Sequence, residues 1–158
     1  MPANLSEAKY ILNIIENSSK SLVKYNFIIK PHPNYISKNS IEKYIIKNNF
    51  SFSYALTSES LYSIIENNIT VISTSSSFCL EALLMDVKVV LISSRSGITQ
   101  NALTYFPELK NWYVAYDDKD LEKYLDKPIN SNNIEFEDYI DFSNFYKVEK
   151  LYKEEFKL

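Results

Sequence analysis

A chain of 158 residues, 46% hydrophobic and 15% aromatic, suffices for one domain with a packed core and is too short for two full ones. Its net charge of −3 and the lack of a basic stripe argue against nucleic acid as a partner, and its single cysteine, Cys79, excludes an intramolecular disulfide and a cysteine-built zinc site. Its single glycine, Gly97, excludes the G-x-G-x-x-G fingerprint and the Walker loop, which need several glycines to bring backbone close to phosphate.

One cysteine suits a reducing, cytoplasmic setting. No apolar run approaches the ~18 residues that cross a bilayer, and Met1 to Lys9 lacks the basic and apolar regions of a signal peptide. The chain is therefore expected to be soluble, or at most peripheral at a membrane.

Asn4 with Glu7 has the form of a capping box, and Ala8, Ile11, Leu12 and Ile15 recur at helical spacing, which predicts a helix over roughly Leu5 to Lys20. Tyr25 to Lys30 is a short apolar run stopped by Pro31-His32-Pro33-Asn34, a strand entering a rigid loop. Asn39 and Glu42 again resemble a cap, and Ile41, Tyr44 and Ile45 predict a second helix ending near Asn48-Asn49. Phe50 to Ala55 alternates like a strand, and Ser58 to Asn67 carries Leu61, Ile64 and Ile65 at helical spacing.

Next comes the stretch around which the rest is organised. The apolar run Ile69 to Ile72 stops in five hydroxyl residues, Ser73 to Ser77, followed by a helical segment with Leu80, Leu83 and Leu84 on one side and by the strand Lys88 to Ile92. Beyond it Ser93 to Ile98 is a loop, Gln100 to Tyr105 a short helix broken by Pro107, and Trp112 to Tyr116 a fifth strand. Asp117-Asp118 opens a helix through Leu125, Ile129 to Tyr139 is a polar, exposed connection, and Phe142, Phe145, Val148, Tyr152 and Phe156 mark one face of a terminal helix. Alternating helices and strands, with about five strands, predict an α/β fold: a Rossmann-like parallel sheet with helices on both faces, in one domain.

In such sheets ligands bind outside the carboxyl ends of the strands, which places the Pro-His-Pro loop and the serine turn on the same rim. A helix N-terminus with free N–H groups and hydroxyls favours an anion, so Ser75, Ser76 and Ser77 are candidates to hold a phosphate; equally, serine is a preferred N-cap of any helix. His32, the sole histidine, is a candidate phosphate donor whose charge is tunable near neutral pH. Glu81 lies one turn into the helix, where it can accept from sugar hydroxyls or simply complement the helix dipole. Lys30 and Arg95 are further anion contacts by position, although an exposed loop arginine is the plainer reading of Arg95. Cys79, between Phe78 and Leu80, reads as a core thiol. The histidine count supports neither a metal site nor a Ser-His-Asp triad.

Lys30-Pro31-His32-Pro33, about forty residues before Ser73 to Leu83 and followed by the Val89 to Ile92 strand, resembles the second half of GT-B glycosyltransferases. It looks most like bacterial sialyltransferases, the polysialyl- and Kdo-transferases of capsule synthesis, and their CDP-glycerol-using relatives. The resemblance spans roughly Tyr25 to Ile92. It implies that His32 and Ser75 to Ser77 contact the phosphate of a cytidine nucleotide donor and that Glu81 binds its ribose. Where such proteins have a small-Gly-x-Pro-Val run after the helix, this chain has Met85-Asp86-Val87-Lys88-Val89.

The function implied is donor-nucleotide binding in a glycosyltransferase of surface carbohydrate synthesis, capsule or lipooligosaccharide, with a CMP-sugar such as CMP-sialic acid as donor. The chain is expected to be the C-terminal half of a two-domain enzyme, its glycan acceptor held by an N-terminal domain. His32, the serines and the helix N-terminus would stabilise the leaving phosphate without metal or cofactor. A nucleotide-sugar epimerase or CDP-polyol phosphotransferase half-domain is the nearest alternative, and a non-catalytic protein-interaction module the alternative from another class.

Overall fold

The computed structural model describes residues 5–19, 21–32, 36–65, 69–74, 76–93, 101–106 and 108–130. Among the described residues five helices and five strands follow in the order α1 (Leu5–Asn17), β1 (Phe27–Ile29), α2 (Lys38–Lys47), β2 (Tyr54–Leu56), α3 (Leu61–Ile64), β3 (Thr70–Ser73), α4 (Ser77–Leu84), β4 (Lys88–Ile92), β5 (Trp112–Ala115) and α5 (Asp118–Leu125). A 3-10 turn, Ala102–Tyr105, precedes β5. The fold is α/β, and every strand pairing is parallel. The terminal helix expected over Phe142 to Phe156, most of the connection before it, Arg95 and Gly97 lie outside the described residues.

The strands form two sheets where one was expected: β1 pairs with β2, and β3-β4-β5 form the other. β1 is only three residues long, because Pro31 ends it and a proline cannot donate to a ladder. Aliphatic side chains join the two sheets instead. One core cluster runs beneath both: Ile11 and Leu12 of α1, Ile41 and Ile45 of α2, and Leu121 of α5 meet Val90 and Ile92 of β4, with Phe27, Ile29 and Tyr54 packed alongside. A second cluster covers the other face of the larger sheet, where Phe78, Cys79, Ala82 and Leu83 of α4 meet Val89 and Leu91. β4 therefore has both faces buried, which is why its apolar run does not alternate with polar residues.

Local chemistry explains most boundaries. α2 is capped by Ser37, whose side chain accepts from Ser40 N, two residues ahead of the Asn39 predicted to pair with Glu42. β2 starts at Tyr54 rather than Phe50, since Phe50 and Phe52 turn into the core and stack edge to face or tilted on neighbouring rings. α3 is one turn, shorter than the predicted Ser58 to Asn67. α5 starts as predicted, with the Asp117 side chain accepting from Asp120 N.

α4 ends in a Schellman motif: Val87 N donates to Ala82 O at 2.9 Å and Asp86 N to Leu83 O at 3.1 Å. Asp86 takes the left-handed conformation this requires, with φ 57°. A turn that glycine makes most easily is thus made here by an aspartate. Asp86→Gly is expected to raise the unfolding free energy by about 0.5–1 kcal/mol in urea denaturation, because the left-handed region is unfavourable for a residue with Cβ. An unchanged or lower stability would contradict that account.

Candidate functional site

A cavity of about 280 Å³ lies in the seam between the two sheets, with Ile28 and Ile29 of β1 on one wall and Val71 and Ile72 of β3 on the other. Lys30 and Pro31, from the loop after β1, and Phe78, from the first turn of α4, line it as well. Its lining includes Pro31 and Phe78 but not His32, Thr74, Ser76 or Glu81. It runs along both strands, from Tyr25 and Ile69 ahead of them to Lys30 and Ile72, and much of its lining is apolar core, including Ala8, Ile11, Leu12 and Ile41.

His32 is half-buried directly after the buried Pro31, and its carbonyl accepts from Ile36 N at 3.1 Å, closing the loop. Lys30 Nζ donates to Ser58 O at 3.4 Å, which draws that side chain toward the end of β2. On the opposite side Ser73 is the last residue of β3 and fully buried, so it belongs to the sheet and not to an open turn. Ser76 is the N-cap of α4, extended at φ −149° and ψ 140°, and its side chain makes no capping hydrogen bond. Ser37, Asn101 and Asp117, the N-caps of α2, the 3-10 turn and α5, all cap with their side chains.

Ser77 is the first residue of α4, and Ser75 lies outside the described residues. Glu81 is half-buried one turn into α4. Cys79 is 1% exposed, and burial pushes its thiol above the ordinary range, so it stays protonated in the core as its apolar neighbours implied.

Two contacts at this rim have no sequence signature. Thr74 Oγ1 donates to Glu7 Oε2 at 3.2 Å, and Tyr10 OH donates to Ser93 O at 3.4 Å. Glu7 and Tyr10, three residues apart on α1, therefore reach the carboxyl ends of β3 and β4. The pairs are separated by 67 and 83 residues, a range at which local patterning says nothing.

Among the described residues no group of three or more His, Cys, Asp or Glu could hold a metal ion, and no helix is long and apolar enough to cross a membrane. A family model described as "putative O-antigen biosynthesis protein" matches residues 26–158. No curated protein and no solved structure matches the chain.

Proposed function

From the premise that the chain belongs to this family of O-antigen biosynthesis proteins, and hence to surface polysaccharide synthesis, we propose that it binds the nucleotide of an activated sugar donor. The donor is a CMP-sugar, its phosphate held at the α4 N-terminus by Ser76 with Ser75 and Ser77, and by His32. Glu81 accepts from ribose hydroxyls, and Lys30 and Arg95 add positive charge. The reaction served is glycosyl transfer, with acceptor and catalytic base supplied by a second domain.

The observation that carries the reading is the start of α4. Its N-cap serine makes no capping hydrogen bond with its side chain, which leaves that hydroxyl at the positive end of the helix, where an anion is favoured. The loop of the sole histidine follows β1 as the turn into α4 follows β3, each at the carboxyl end of a parallel-paired strand. As a sugar leaves, charge grows on the phosphate, and positioned hydrogen-bond donors stabilise it most at that moment.

Calorimetric titration of the full chain with CMP, CDP and UDP tests this. CMP is expected to bind tightest, and Ser76→Ala to weaken it about threefold to tenfold, the worth of one hydrogen bond to a charged group. Binding of none of the three nucleotides, or CMP affinity untouched by both Ser76→Ala and His32→Ala, overturns the proposal.

A further inference from the structure

α1 precedes residue 26, where the family match begins, yet it places a carboxylate on the turn that leads into α4. Glu7 is held there from three directions. Thr74 donates to it, Tyr10 anchors the next helical turn to the end of β4, and Ala8, Ile11 and Leu12 bury the opposite side of the helix in the core. The carboxylate is thus a built part of the rim, on a rigid element, rather than a mobile surface group.

We propose that Glu7 selects ligands at this rim by charge, favouring a singly charged phosphodiester over a doubly charged phosphomonoester. This rests on the reading above that the turn before α4 takes a phosphate. A fixed negative charge repels each negative charge brought near it, and the half-buried setting of Glu7 and Thr74 leaves that repulsion only partly screened. A nucleoside monophosphate carries about −1.5 to −2 near neutral pH, whereas the same phosphate esterified to a sugar or a methyl group carries about −1. The extra charge weakens binding by a factor on the order of ten. The donor is then held more firmly than the nucleotide left behind after transfer, which speeds release of that product.

The test titrates wild-type chain and Glu7→Gln, at neutral pH, with CMP and with its 5′-methyl phosphodiester. Glutamine still accepts from Thr74, so the substitution removes the charge and keeps the contact. Wild type is expected to prefer the methyl ester, and Glu7→Gln to bind CMP about tenfold tighter with the ester changed much less, so that the preference collapses. Thr74→Val, which unties the carboxylate without removing it, is expected to move the ratio the same way by less, and it provides a second variant should Glu7→Gln fold poorly. An unchanged CMP-to-ester ratio in both variants overturns the role of Glu7 and leaves the phosphate site standing. A parallel loss of both ligands reduces Glu7 to a structural contact and overturns it too. Failure of wild type and variants to bind either ligand overturns both readings together.

Discussion

Leu83→Ala is expected to lower the unfolding free energy by about 3 kcal/mol, the middle of the range for truncating a fully buried leucine. Leu83 is 0% exposed, in the cluster where α4 packs on Val89 and Leu91 of β4. The lost transfer energy and the cavity left behind add, because the neighbours are strand residues whose backbone is held by ladders on both sides and cannot close the gap. Urea denaturation followed by circular dichroism measures the change. A loss below about 1 kcal/mol would mean that α4 can shift to refill the space, and that the turn at its N-terminus is not rigidly placed.

Lys88→Ala is expected to cost about 2 kcal/mol, large for a lysine. Lys88 is 3% exposed, and its Nζ donates to Leu125 O at 2.6 Å and Lys127 O at 2.7 Å. Those carbonyls lie at the C-terminal end of α5, where no intrahelical N–H reaches them, and a cation there also complements the helix dipole. Removing the amine leaves them without that donor in a mostly buried place, which is the expensive way to lose a hydrogen bond.

The pH dependence gives a second signature. Burial pushes the Lys88 amine below its ordinary 10.5, with Asp126 opposing the shift. In the window between the lowered native value and 10.5 the unfolded chain holds a proton that the native chain has released, so this group makes stability rise with pH there. Lys88→Met keeps the aliphatic stem and is expected to remove that rise; equal pH slopes for wild type and variant in alkaline denaturation would contradict it.

How far the fold was readable depended on how local its causes were. β4 was placed at its observed ends, Lys88–Ile92, because a strand buried on both faces is apolar at every position. The Asp117 cap and α5 were equally plain, since cap and helical period lie within one short segment. α3 was read too long, because apolar spacing over Ser58 to Asn67 does not say where packing support stops. Lys88 passed as an ordinary strand residue; its partners are 37 and 39 residues away, and only its place inside an apolar run hinted that it was buried.

The candidate site divides the same way. The prolines around His32 and the hydroxyl run before α4 are legible as residue types that stop strands and start helices, and parallel topology puts each after the carboxyl end of a strand. By itself, then, the sequence determined an α/β chain and its parallel strands. The tertiary structure alone decided that β1 and β2 pair apart from β3, β4 and β5, that a cavity opens between β1 and β3, and that α1 sets Glu7 against Thr74. Periodicity and capping act over one or two turns of chain, whereas a break in a sheet and a carboxylate laid on a distant hydroxyl depend on how side-chain volumes fill the space between elements far apart in sequence.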